Sequence, residues 1–271
     1  MSKSSQLILF VAVIAIVAAI ETAVLLHRRR RVDVRDSLNS ILVGFGFLGI
    51  KMIGAKALLL PAYFWVYDHH RLFTLNPRSP LTWALAWAAA DFFAYWTHRT
   101  EHRVRGLWAS HSVHHSSEQF TMTTAVRMPW TEVFYKPFIA FWAPLLGFHP
   151  AVSAAIGGLV LAVGQLQHTE AIGRLGILDR FLMTPSNHRV HHASNHVYLD
   201  KNFGATSAVW DKLFGTYQPE LDAVTPVYGL THPTRSTTAI GVATEGLRDL
   251  ATALGRTASP KGKAKLFFGR P

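Results

Sequence analysis

LTWALAWAAADFFAYWTHRTEH, residues 81–102, is the stretch that decides the fold. Leu81 to Trp96 is an apolar run of helical length, and directly after it His98 and His102 stand four apart. In a helix that spacing puts both imidazoles on one face, one turn apart. An apolar helix that ends in paired histidines is therefore the unit to look for elsewhere in the chain.

Two further boxes repeat the chemistry. His111-Ser112-Val113-His114-His115 places three rings at i, i+3 and i+4, and His188-Arg189-Val190-His191-His192 does the same. Between them His168 ends another apolar run in Gln167-His168-Thr169-Glu170. Of 15 histidines, ten lie between His98 and His192, and eight of those fall in the three boxes. Lone histidines are ordinarily surface or satisfied core residues, the reading given to His27, His149 and His232, and to His69 and His70 in a polar loop. Neutral imidazoles packed together are costly unless something binds them. The eight boxed histidines and His168 exceed the four ligands of a closed zinc site, which points to two metals. Imidazole suits zinc, copper, iron and nickel alike. The residues alone read as a dinuclear, histidine-rich centre of open metal identity, and two ions a few ångströms apart form a reactive arrangement.

Composition places this centre in a membrane protein. Hydrophobic residues make up 49% of the 271 and charged residues 16%, against about a quarter charged in a soluble domain. The net charge of +11 is concentrated beside apolar spans, at Arg28 to Arg31 and at Lys261, Lys263 and Lys265. That suits an anionic cytoplasmic leaflet better than a nucleic-acid groove, so no nucleic-acid partner is expected. The absence of cysteine excludes disulfides, thiolate zinc sites and thiolate-ligated haem.

Gln6 to Leu26 reads as a retained anchor and Leu38 to Tyr67 as one or two further apolar helices, with Lys51 and Lys56 snorkelling or facing inward. Phe134–Phe148 and Val152–Leu166 read as a hairpin turning at Gly147-Phe148-His149-Pro150. The tail from Gly255 to Pro271 is expected to be mobile. With Arg28–Arg31 cytoplasmic, alternate crossings bring every box to the cytoplasmic face. The expected fold is all-α: a multi-pass membrane bundle with a cytoplasmic helical cap that holds the dinuclear site. Residues 1–80 form the anchor helices, 81–217 the histidine-box core and 218–271 a basic C-terminal segment. There is no His-Glu-x-x-His pattern, phosphate loop or dinucleotide fingerprint, so electrons must come from a separate donor.

Asp91, Tyr95-Trp96-Thr97-His98-Arg99, Leu107-Trp108, Pro185 to Ala193, Asp200 to Gly204 and Trp210 to Thr216 together resemble the fatty acid hydroxylase / sterol desaturase superfamily of membrane di-iron enzymes. His114 to Glu118, Thr124 to Arg127 and Gln167-His168-Thr169 make the chain most similar to its alkylglycerol monooxygenase-like branch. The resemblance implies two iron ions, O₂, a lipid substrate and an external reductant, either a reduced pterin or an electron-transfer protein. It implies hydroxylation, with desaturation as the alternative outcome on the same ligands. Many members carry a His-x-x-x-His at the third box, whereas here position 164 is Gly164. Gln165 and Asn202 are therefore candidate substitutes, with Asp211 and His196 as further second-rank candidates near the metals. Arg127 and Arg189 are the candidates to meet a substrate head group. A histidine-rich metal transporter is the competing class, disfavoured because transport sites lie near the bilayer midplane on broken helices.

Overall fold

The computed structural model describes residues 3–54 and 56–271. Among the described residues every regular element is helical, and two isolated bridges, Leu182 with Ser207 and Ala193 with Tyr228, build no sheet. Helices α1 (Lys3–His27), α2 (Val34–Gly54) and α3 (Lys56–His70) precede α4 (Pro80–Arg103) and α5 (Arg105–His115). Short helices α6 (Met122–Ala125), α7 (Glu132–Ile139) and α8 (Trp142–Leu145) lead into α9 (Pro150–Gln167). Next come α10 (Pro185–His192), α11 (Val209–Leu213), α12 (Ala239–Arg256) and α13 (Pro260–Phe268).

Local chemistry explains why the histidine-bearing helices start and stop where they do. Pro80 occupies the first turn of α4, where its missing N–H is not needed. The helix runs past Trp96 to Arg103 and stops at Val104, which is extended at φ −109°, ψ 115°. That single residue folds α5 back against α4, so their histidines face each other. α10 is capped by the Thr184 hydroxyl, which accepts from Asn187 N, and Pro185 follows in its first turn. α9 is capped by the His149 ring, which accepts from Ala151 N. The turn expected at Gly147–Pro150 is present: Gly147 has φ +93°, and a side chain there would collide with the Phe73 carbonyl.

Asp91, buried midway along α4, ties that helix to the loop after α10. Its carboxylate accepts from the backbone N–H and the hydroxyl of both Thr206 and Ser207. Asp91→Ala strands these donors in a buried site, at a cost of about 3 kcal/mol. The melting temperature of the purified protein is expected to fall by about 6–12 °C; an unchanged melting curve would refute the tether.

Three expectations are corrected. Phe134–Phe148 is not one span but α7 and α8, because Pro144 lacks the N–H that would bond the Ala140 carbonyl. His69 and His70 form the last turn of α3 rather than a loop, with His69 Nδ1 2.9 Å from the Trp65 carbonyl. The tail is ordered as α13: Ser259 caps it, Phe267 packs over Gly106, and Arg105 bonds the Gly269 and Arg270 carbonyls. Among the described residues a single helix, Pro150–Gln167, is long and apolar enough to cross a bilayer, with Ala15–His27 a shorter apolar stretch. Leu38–Tyr67 falls on α2 and α3, on either side of residue 55, which lies outside the described residues, as does the Lys56 side chain.

Candidate dinuclear metal centre

The nine histidines converge and divide into two groups. His98, His102, His111, His115 and His191 form one, and His114, His168, His188 and His192 the other; within each, one ring nitrogen per residue lies within 4.8 Å of the rest. The groups adjoin, with His115 stacked on His192 at 4.2 Å between ring centroids.

Backbone carbonyls fix the ring tautomers. His98 Nδ1 lies 3.1 Å from Phe203 O, His114 Nδ1 3.2 Å from Arg127 O, His168 Nδ1 2.7 Å from Gly164 O and His191 Nδ1 2.9 Å from Lys201 O. A carbonyl only accepts, so each Nδ1 carries the hydrogen and each Nε2 turns a lone pair inward. Opposed Nε2 lone pairs then meet at 3.1 Å in the pair His114–His168, and likewise in His98–His111, where His111 Nδ1 faces the Glu132 carboxylate; His188 Nε2 lies 3.1 Å from His168 Nε2, with its own Nδ1 buried and without a partner. The Nε2 atoms of His102, His115, His191 and His192 are buried without any hydrogen-bond partner. Lone pairs directed at one another are unfavourable unless a cation lies between them. Two nitrogens bound at about 2.1 Å to one ion sit roughly 3.0–3.4 Å apart, so the donor set fits two metal ions.

Burial keeps the rings in the neutral, ligand-competent form. It holds the pKa of His111, His114, His115, His188 and His192 well below the ordinary imidazole value, with neighbouring rings adding to the effect. His168 and His191 are lowered by burial to about 4, opposed by their carbonyl bonds. Between pH about 6.5 and about 4 the unfolded chain therefore binds protons that the folded chain refuses, and stability falls as pH falls across that window. Metal-free protein is expected to unfold at progressively lower denaturant from pH 7 to pH 4; a flat profile would contradict this.

Carboxylates that the motif reading overlooked stand behind His111. Its Nδ1 lies 3.3 Å from Glu132 Oε1 and 3.6 Å from Glu101 Oε2. Lys136 Nζ joins both acids, at 2.8 Å and 3.2 Å, and Tyr135 donates to Glu101. A carboxylate behind a ligating histidine raises its basicity and fixes its orientation. The available sequence signal was an acid, Glu132, at the mouth of an apolar run with a lysine four residues later.

The second-rank candidates separate. Asp211 accepts from Phe203 N and Gly204 N, which positions the carbonyl that orients His98. Asn202, at φ 55°, commits its amide to Asn187 O, Gln218 O and Gln218 N, and so braces α10. Gln165 donates to Ala125 O beside the second group. His196 is exposed and outside both groups. Arg127 and Arg189, expected to meet a head group, are internal buttresses instead. Arg127 is 1% exposed and pairs with Asp36, Ser40 and Ser116, while Arg189 pairs with Glu220 and two carbonyls. Neither lines the cavity described next, because partners distant in sequence consume their donors.

A cavity of about 380 Å³ opens on both groups, reaching His98 and His111 of one and His114, His168 and His188 of the other. Away from the rings its wall is apolar, formed by Phe93 and Ala94 of α4, Ile139 of α7, Trp142 of α8 and Val160 and Leu161 of α9. Gly157 and Gly164 of α9 also line it, and a side chain at either would point into open space.

The family model for fatty acid hydroxylase matches residues 83–216. Alkylglycerol monooxygenase of Homo sapiens is 37% identical over 237 residues, which cover 87% of this chain and 52% of the relative. The Xenopus tropicalis alkylglycerol monooxygenase is 36% identical over 200 residues, 74% of this chain and 44% of the relative. The ornithine lipid hydroxylase OlsE of Rhizobium tropici is 25% identical over 236 residues, 84% of this chain and 64% of the relative. The chain spans about half the length of the first curated relatives it matches. No solved structure matches it.

Proposed function

This chain belongs to the fatty acid hydroxylase family, and on that footing we propose that it is a membrane oxidoreductase that uses O₂ to hydroxylate a lipid at a histidine-held di-iron centre. The observation that carries the proposal is the set of inward lone pairs meeting at 3.1 Å, with an apolar cavity opening on both ring groups. Among fatty acyl, sterol and ether lipids we place ether lipids first, because the relatives at 36–37% identity are named alkylglycerol monooxygenase.

When bound, two irons would supply O₂ reduction and the oxidising power to attack an unactivated C–H bond. The overall change is C–H plus O₂, two electrons and two protons to C–OH plus water, with the electrons coming from an external reductant. The chain's own part is positional. Carbonyls of Phe203, Arg127, Gly164 and Lys201 aim the rings, Glu132 and Glu101 steady His111, and the cavity wall excludes water and aligns an apolar chain.

The protein acts as a multi-pass membrane protein whose centre lies at the cytoplasmic face, with 81–217 as the catalytic core. Exposed Leu38, Leu42 and Phe45 of α2, Leu81 and Leu85 of α4 and Leu159 of α9 support lipid contact. Arg28 Nη1 donates to Ala171 O at 2.8 Å, which puts the basic block at the histidine end of the molecule, as the positive-inside rule requires for a cytoplasmic centre.

The test is turnover of iron-loaded protein with ¹⁸O₂, reductant and a panel of lipids, read by mass spectrometry. One ¹⁸O atom in a product alcohol is expected. A new double bond without label would make the enzyme a desaturase, and no O₂ consumption with any lipid would overturn the reading.

A further inference from the structure

Three charged side chains stand on the wall of the lipid cavity among the described residues: Glu101 of α4, and Glu132 and Lys136 of α7. Glu132 and Lys136 share a face of α7 at i, i+4, and Ile139 and Ala140, one turn on, line the same wall. A few placed polar groups on an otherwise apolar pocket wall are what fixes a ligand's orientation.

The cluster is only partly satisfied. Glu101 is buried; it accepts from the Tyr135 hydroxyl and lies 3.2 Å from Lys136 Nζ. Glu132 is buried too, and turns Oε1 to His111 Nδ1 at 3.3 Å. Its other oxygen, Oε2, stands 2.8 Å from Lys136 Nζ, yet it has no partner in hydrogen-bonding geometry. Two carboxylates face an ammonium that carries three N–H donors, so at least one donor is left over. The Lys136 side chain is 35% exposed and lines the cavity. A bare carboxylate oxygen and a spare ammonium N–H thus lie side by side at an apolar wall, where unbonded polar groups are costly. Steadying His111 explains neither of them, since it uses Oε1 alone.

A hydroxyl satisfies both groups at once, because it accepts from an N–H and donates its own hydrogen to a carboxylate. An ether, ester or phosphodiester oxygen only accepts. Resting on the proposed oxygenase function, we infer that Lys136 and Glu132 form the subsite for the polar end of the lipid, and that this end carries a free hydroxyl. The hydroxyl oxygen accepts from Lys136 Nζ and its hydrogen goes to Glu132 Oε2, while the apolar chain runs past Ile139 and along α9. Glu101, held by Tyr135, keeps the ammonium in place. Lys136 is therefore a specificity-determining residue. A site built around a hydroxyl discriminates against the analogue that lacks it, because that analogue leaves a buried acceptor unbonded.

The test is calorimetric titration of full-length protein, purified in a hydroxyl-free detergent and kept anaerobic so that nothing turns over. The probes are 2-(hexadecyloxy)ethanol and its methyl ether, which share one chain and differ in the hydroxyl hydrogen. Wild type is expected to bind the alcohol at least about tenfold more tightly than the ether. Lys136→Met should lose that preference, binding the alcohol about as weakly as the ether, with ether affinity as in wild type. Lys136→Arg, which keeps N–H donors, should retain a severalfold preference. A purely structural lysine would instead weaken both probes alike in Lys136→Met and leave their ratio unchanged. Equal affinities in wild type, or an unchanged ratio in Lys136→Met, would overturn the subsite, and the wild-type comparison decides even where the variant fails to fold. No step needs turnover, so failure of the ¹⁸O₂ assay would sink the oxygenase reading while the titrations still judge the subsite.

Discussion

Alanine at His114 or at His191 is expected to lower turnover at least about 100-fold, the upper end of what losing even an outer-shell partner of a metal costs. Each variant should also lose about one of two bound metals. The reason lies in the partition of the rings. His191 belongs to the five-ring group, where its Nε2 is buried without a partner and its Nδ1 is held by Lys201 O. His114 belongs to the four-ring group, where its Nε2 faces His168 at 3.1 Å. Losing either leaves the other group intact, so metal content should fall by half rather than to zero. His196→Ala and His27→Ala, outside both groups, should change neither quantity. Metal analysis beside turnover decides the matter: full metal content in both box variants would sink the two-group arrangement.

Phenylalanine at Gly157 is expected to cut kcat/KM for long-chain lipids about 100-fold while leaving metal content and short-chain turnover near wild type. Gly157 lies eleven residues before His168, about 16 Å along α9 at 1.5 Å per residue. A Cβ there meets no protein atom within 4 Å, and Gly157 lines the cavity, so a phenylalanine ring has room to occupy it. Each excluded methylene forfeits about 0.8 kcal/mol of burial, so displacing four removes roughly 3 kcal/mol from transition-state binding. A chain-length series separates the outcomes. Uniform loss across all lengths would mean the cavity is not where the chain lies.

The boxes were legible because i, i+3 and i+4 spacings share a helix face, and that face is the one α4, α5 and α10 turn to the centre. The five–four division was not legible. Successive residues of a helix point about 100° apart, so neighbours His114 and His115, and likewise His191 and His192, go to different groups. The helix beginning at Pro80 was legible from its prolines and apolar run, and its continuation through His98 and His102 from their i, i+4 spacing. The α7–α8 break rests on the backbone chemistry of Pro144, which an apolar pattern conceals. Composition made the tail look mobile; a single aromatic, Phe267, and the Arg105 bonds to Gly269 and Arg270 hold it. Glu132 escaped notice because it acts through a histidine distant from the motif to which it would be assigned.

The central claim, two irons held together by nine histidines, is tested most directly by metal analysis and Mössbauer spectroscopy of detergent-purified protein grown on ⁵⁷Fe. The expected result is about two irons per chain in a coupled high-spin pair. A single iron, or iron that will not bind even after reconstitution of the metal-free protein, would contradict the claim.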